Sequence, residues 1–202
     1  MMKRLLFLLC TAICLPAIIS CSDTDGLEDH TYDRWQERND SAFAAVYAQA
    51  QHEIAQGSSK WRIFKSYATT LAATPENSIV VRIDRQGTGS GCPLYTDSVR
   101  VNYQGLLLTG KQFDHSGLFK DYESIFSPTL CSPAALLVKN TVEGFTTALQ
   151  QMHIGDLWHV YIPWQLGYGP AATTAIPAHS MLQFDVELKQ YARTGNPLPV
   201  WK

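Results

Sequence analysis

LQFDVELK, residues 182–189, alternates without a break: Leu182, Phe184, Val186 and Leu188 against Gln183, Asp185, Glu187 and Lys189. A period of two puts successive side chains on opposite faces of a strand. One apolar row and one polar row predict a strand with a core face and a wet face, the pattern of an antiparallel sheet. The same alternation recurs upstream. Trp158, Val160 and Ile162 carry it, as do Val99, Val101 and Tyr103 against Arg100, Asn102 and Gln104, and Ile79, Val81 and Ile83 against Val80, Arg82 and Asp84. Between these runs, Val142, Phe145, Leu149 and Met152 recur at helical spacing, and Gly155-Asp156 closes that helix. Many strands and one short helix predict an α+β fold, a twisted antiparallel β-sheet wrapped around the helix.

The break after Ile162 is informative. IPWQLGYGP, residues 162–170, leaves a strand at Pro163 and ends in Gly167-Tyr168-Gly169-Pro170. Glycines on both sides of a tyrosine make a poor core segment and a good turn that presents a phenol.

Composition bounds what else the chain can be. It has 202 residues, 46% of them hydrophobic and 17% charged, with net charge −2. That is ordinary for a globular protein, and it offers no basic surface for nucleic acid. Met1-Met2-Lys3-Arg4 and the apolar run LLFLLCTAICLPAII read as a signal peptide over residues 1–20. Ser20-Cys21 at its end resembles a lipoprotein cleavage box, with Cys21 diacylated and holding the chain to the membrane; two acyl chains anchor stably where one does not. The alternative is a secreted protein with an unpaired cysteine. Residues 21–30 then form a tether. From Cys21 to Asp40 there are 7 acidic residues against 2 basic ones, which resembles the export signal of surface-facing lipoproteins of Bacteroidetes. The expected location is therefore the cell envelope, anchored to the outer membrane.

Residues 31–75 read as an N-terminal helical extension. Phe43, Val46, Tyr47, Ala50 and Ile54 recur at helix spacing up to Gly57, and Tyr32 and Trp35 extend the face backwards. Such a face needs a partner, either a second copy, giving a homodimer, or the chain's own domain. KWRIFKSYATTLAA, residues 60–73, is ambiguous between helix and strand, and Thr74-Pro75-Glu76-Asn77 reads as a boundary.

Four stretches in order carry a resemblance: VRVNYQGLLLTGKQFDHS at 99–116, VEGFTTALQQMHIGD at 142–156, IPWQLGYGP at 162–170, and IPAHSMLQFDVELK at 176–189. Together they resemble the FKBP-type peptidyl-prolyl isomerases, over about residues 76–192, leaving 193–202 as a tail. The resemblance implies a sheet curled round one helix, with an apolar pocket between them for proline-containing segments of folding proteins. It implies no cofactor and no metal, and the six histidines show no metal spacing. Carried over position by position, the pocket uses Tyr103, Phe113, Asp114, Val142, Phe145, Tyr168, Ile176 and Phe184. The Val142 amide and the Tyr168 hydroxyl would hydrogen-bond carbonyls of the bound chain. On spacing alone, Tyr103, Phe113 and Phe184 read as plain core, Asp114 as a turn acid, Val142 as the start of a helix.

The chain also departs from the family. Phe145 stands where a tryptophan is usual, Thr141 where an aliphatic residue is usual, and HSGLFKDYESIFSPTLCSPAALLVKN, residues 115–140, holds an insertion. Leu136 and Phe126 are candidates for the aromatic or apolar wall normally found there. These departures leave open a second reading, a weakly active module used for peptide binding or chaperoning. Cys92 and Cys131 lie in turn-rich segments of an exported chain, where a Cys92–Cys131 disulfide persists if it forms; two thiols are the alternative.

Overall fold

The computed structural model describes residues 30–117, 126 and 131–201. The expected signal peptide, Cys21 and the tether up to residue 29 lie outside the described residues. Among the described residues are two α-helices, α1 (Trp35–Ala55) and α2 (Glu143–Leu149). The strands are β1 (Trp61–Lys65), β2 (Ser78–Arg85), β3 (Ser98–Leu106), β4 (Gln112–His115), β5 (Ala134–Leu137), β6 (Leu157–Ile162) and β7 (Leu182–Ala192). They form one antiparallel sheet in the order β1-β2-β6-β7-β3-β4, with β5 also paired to β3. The α+β arrangement predicted from period two and one helical run is present.

The core lies between the sheet and α2. Ile79, Val81, Val99, Val101, Val160, Ile162, Leu182, Val186 and Leu188 are all fully buried and pack with Ala148, Leu149 and Met152. The helix seats closely because position 144 is glycine: a Cβ there would sit 2.3 Å from Ile162 Cγ2.

The segment before residue 76 differs from the expectation in one way, and the structure decides between two alternatives in another. Trp61–Lys65 is a strand, paired with β2 from Trp61↔Arg82 to Lys65↔Ser78, so the extension is not helical throughout. Its blurred periodicity has a cause: both faces are covered. Phe64 stacks on Trp158 with ring centroids 5.9 Å apart, and Trp61 stacks on Tyr161 at 6.4 Å on the other face. Moreover, α1 lies on its own domain. Phe43 and Ala50 are buried with Trp61, Val80 and Met181, so the face that offered a homodimer seam is occupied within the chain.

Polar contacts fix α1 in place. The fully buried Asn39 accepts a hydrogen bond from the Met181 amide at 2.9 Å and donates to the Trp35 carbonyl at 2.7 Å. Trp35 Nε1 donates to Ser180 Oγ at 2.9 Å, and Trp164 Nε1 donates to Asp40 at 2.8 Å. Buried polar groups without partners are costly, so the Asn39–Met181 and Trp35–Ser180 bonds tie the helix to the segment 164–181, and the exposed Trp164–Asp40 bond adds to them.

The polar row of β7 is also not the wet face its alternation predicts: Asp185 and Glu187 are 7% and 8% exposed. Charges at that depth persist only with partners. Asp185 lies 2.6 Å from His159 Nδ1 and accepts from Gln104 Nε2 at 2.6 Å. Glu187 accepts from Asn102 at 3.0 Å and from Lys189 at 3.2 Å, and it pairs with Arg85. Burial pushes the Asp185 carboxyl upward, but the His159 and Gln104 hydrogen bonds and the Arg82 charge outweigh it and hold the group below the usual carboxylate range.

Of the two alternatives for Cys92 and Cys131, the structure shows no bridge between them. The Cys92 sulfur lies 3.7 Å from His153 Nε2, whereas Cys131 is buried with Phe126 and Leu157 at the start of β6. The two residues lie against different neighbours.

Two measurements check this packing. Asn39→Ala leaves the Met181 amide buried without an acceptor and lowers stability by about 1–3 kcal/mol in chemical denaturation. A carboxyl with a lowered folded pKa contributes stability above its unfolded value of about 3.9, and that contribution is lost as pH falls through the folded value. Asp185→Asn therefore lowers stability at neutral pH and flattens its decline below about pH 4 in acid titrations.

Candidate functional site

A concave site of about 360 Å³ opens between the sheet and α2, a size suited to a small side chain and its flanking backbone. β3 supplies Tyr103, β7 supplies Phe184 and α2 supplies Phe145. The Phe145 and Phe184 rings are 4.8 Å apart, and Tyr103 lies 6.1 Å from Phe145 and 6.4 Å from Phe184. These spacings are those of favourable tilted and edge-on aromatic pairs. The result is an apolar wall whose members hold each other's orientation.

Gly105 makes that wall possible. It pairs with Phe184 across β3 and β7, and a Cβ there would sit 2.4 Å from the Phe113 ring and 2.9 Å from Phe184. The missing side chain lets Phe113 pack edge-on to Phe184 at 5.5 Å.

The polar groups sit at the rim. Tyr103 donates its hydroxyl to Asp114 Oδ2 at 2.8 Å, and Asp114 Oδ1 accepts the His115 amide at 2.8 Å. Burial, then the Asp114 hydrogen bond and charge, push the Tyr103 phenol above its ordinary pKa. Tyr103 therefore stays protonated and bonded to Asp114 across the physiological range. Tyr168 stands 45% exposed on the wall. Its loop turns at Gly169, whose φ of +69° suits glycine. The Gly169 amide donates to the Trp164 carbonyl at 2.9 Å, and its carbonyl accepts from His179 at 3.0 Å. Gly167 contributes differently: it lets the loop approach Leu182, 3.1 Å from where its Cβ would be.

Val142 takes the cap position of α2 in an extended conformation, with φ −61° and ψ 151°. Its carbonyl accepts the Thr146 amide at 2.9 Å, while its own N–H donates to no group among the described residues. Just before it, Thr141 Oγ1 donates to the Val138 carbonyl at 2.9 Å and lies 2.8 Å from Thr146 Oγ1. The hydroxyl at the unusual position is thus absorbed in a local network that holds the start of α2.

Of the residues singled out in the sequence, the structure brings Tyr103, Asp114, Val142, Phe145, Tyr168 and Phe184 onto one wall. Phe113 and Ile176 stand one layer behind, Phe113 against Phe184 and Ile176 buried in the core. Leu136 joins the wall from β5, along with Asn140. Phe126 is buried elsewhere with Cys131 and Leu157. Nothing in the sequence marked Asn140, because the insertion before it hides the register of β5.

The wall presents aromatic carbon, the Tyr168 phenol, one backbone amide, and the Tyr103 phenol bonded to the Asp114 carboxylate. Such a set can hold an apolar ring and orient the backbone on either side of it. Gly105→Ala drives a methyl into Phe113. It lowers stability by about 1–3 kcal/mol, as over-packing does, and weakens binding of proline-containing peptides measured by chemical-shift titration.

Residues 92–189 match the model of the FKBP-type peptidyl-prolyl cis-trans isomerases. The chain is 32% identical over 145 residues to the macrophage infectivity potentiator of Trypanosoma cruzi, covering 69% of this chain and 68% of that protein. It is 36% identical over 114 residues to the FKBP-type 22 kDa peptidyl-prolyl cis-trans isomerase of Escherichia coli, and 32% identical over 113 residues to FkpA of Aeromonas hydrophila. Those matches span 50% and 38% of the two proteins, half their length or less. Among solved structures, a peptidyl-prolyl cis-trans isomerase of Pseudomonas syringae pv. tomato superposes with a TM-score of 0.53 at 24% identity, covering 77% of this chain and 96% of that one, a likeness of fold. FkpA of E. coli superposes with a TM-score of 0.50 at 26% identity, covering 77% of this chain and 63% of that one. With the sheet, the helix and the aromatic wall all in place, the chain belongs to the family of FKBP-type peptidyl-prolyl cis-trans isomerases.

Proposed function

We propose that the domain accelerates cis–trans isomerisation of Xaa-Pro bonds in folding polypeptides, with the proline ring held against Phe145, Phe184 and Tyr103. The observation that carries this reading is the apolar aromatic wall, with the Val142 amide, which donates to nothing among the described residues, and a phenol at Tyr168 on its rim.

The chemistry asks for little more. The barrier to rotation about the peptide bond is about 18–20 kcal/mol and arises from amide resonance. No covalent bond breaks, so the step needs no nucleophile. A twisted amide has less charge separation than a planar one, and an apolar wall disfavours it less than water does. Catalysis follows where the twisted state is bound better than either planar one. Tyr168 and the Val142 amide would hold the flanking carbonyls, so that the chain turns about the proline rather than sliding out. The Tyr103–Asp114 bond orients the ring beside the site and leaves that carboxylate engaged. Uncatalysed exchange takes roughly 10–100 s at 25 °C, slow enough to delay a protein folding outside the cytoplasm.

The place of action follows from the N-terminal residues. A leader over 1–20 and lipidation at Cys21 would hold the domain at the cell envelope on the outer membrane, with envelope or surface proteins as clients. Metabolic labelling with a palmitate analogue, lost on Cys21→Ala, is the expected result for that anchor.

A weaker isomerase used mainly for binding is favoured by one observation: Phe145 is a smaller floor than the tryptophan usual in the family. Two-dimensional exchange NMR on short Xaa-Pro peptides separates the readings. We expect exchange faster than the uncatalysed rate, lowered about three- to tenfold by Tyr168→Phe, the loss of one hydrogen bond. Phe145→Trp raises it. No acceleration by the folded protein would leave binding without catalysis.

A further inference from the structure

The candidate pocket shares Thr141 with a second hollow of about 460 Å³. The family match begins at residue 92, yet part of this hollow comes from well before it. One wall is Ser66–Ala68, the chain leaving β1; the other carries Tyr95 and Lys139; Glu143 of α2 and Gln150 just past its end lie between.

The wall made by the early segment is tied down. Ser66 Oγ donates to the Glu143 carboxylate and accepts the Ala68 amide at 3.0 Å. The Ser66 amide donates to the Asn77 carbonyl at 2.8 Å. Gln151 Nε2 donates to the Tyr67 hydroxyl, so that ring has a fixed place although it is 61% exposed. Tyr95 faces the same hollow at 54% exposure. Two large exposed aromatic rings beside one groove are uncommon on a surface that binds nothing. Amphipathic rings of this kind recur where polypeptides are held. The charges are unequal as well. Glu143 is engaged by Ser66, whereas Lys139 forms no ion pair among the described residues, leaving a cation available to an incoming carboxylate.

We propose that the bound polypeptide does not stop at the proline site. It crosses Thr141 into this groove, where Tyr67 and Tyr95 hold its apolar stretch and Lys139 pairs with an acidic side chain. The occupant is the substrate chain itself, because the groove adjoins the pocket, with Thr141 lining both. The inference rests on the isomerase reading above, and it names the substrate class: segments with an acidic residue a few positions from the proline, on one side of it.

Exchange NMR with the whole chain tests this with three peptides. One is short. One is lengthened by about four residues, roughly 13–14 Å of extended chain, on one side of the proline at a time, with an acidic residue in the added part. The third is the same with a basic residue. We expect kcat/KM for the acidic peptide, lengthened on one side only, to exceed that of the short one by about five- to tenfold, the scale of a partly screened ion pair with apolar contact. Lys139→Glu reverses the order of the acidic and basic peptides, a gain that unfolding cannot produce. Tyr67→Ala and Tyr95→Ala each shrink the ratio of long to short. Equal kcat/KM for all three peptides, or an order that Lys139→Glu does not change, overturns the groove and leaves the isomerase intact. Acceleration of none of them overturns the isomerase reading, and the groove with it.

Discussion

Phe184 is the ring on which the site depends. It meets Phe145 from the helix, Phe113 from β4 and Tyr103 from β3, each within 6.4 Å of its centroid. Its backbone pairs on one side with β6 and on the other with Gly105 of β3. Helix, sheet and pocket are therefore held in register by one side chain, and the glycine opposite it is what leaves room for the ring. A residue on the wall of a binding site is usually free to vary in packing. Here the wall is also the keystone between layers, so changes that reshape the pocket also disturb the fold.

The second organising constraint lies on the other face of the sheet. Part of it is apolar and covered by α1, through Val80, Trp61 and Met181. Part is polar and buried, through Asp185, Glu187 and Asn102. Apolar contact there is non-directional, but the His159–Asp185–Gln104 row and the Asn102–Glu187 pair need particular partners at particular positions on neighbouring strands. A one-residue slip in register would strand a carboxylate in the interior. The polar row thus specifies which pairing of strands is tolerated.

Much of this was legible in the residues themselves, where one period dominates. LQFDVELK alternates so cleanly that β7 could be placed at once, and Val142, Phe145 and Leu149 marked α2. Wherever both faces of an element are covered, alternation loses its contrast. That is why WRIFK at β1 is ambiguous in the sequence and why the alternation of β7 points Asp185 and Glu187 to water. β5, made of Ala134–Leu137, carries two alanines and no β-branched residue, and it follows an insertion that hides its register, so Leu136 and Asn140 could not be placed. The pocket was readable from the order of four motifs. Phe113 and Ile176 stand behind the wall because a motif marks a residue's neighbourhood and not its depth. The docking of α1 needed the structure, since an apolar helix face looks the same whether it meets its own sheet or a second copy.

The pairing of β2 with β6 has a practical consequence. β6 carries Trp158, Val160 and Ile162 and lies next to β7, but its other hydrogen-bonding side belongs to Ser78–Arg85. A fragment cut at the family boundary of residue 92 would remove both β1 and β2. β6 would then become a bare edge, apolar and unprotected, of the sort that recruits other strands and aggregates. The stretch that matches the family model and the sheet that closes this edge are different lengths of the chain, and the longer one reaches back to Trp61.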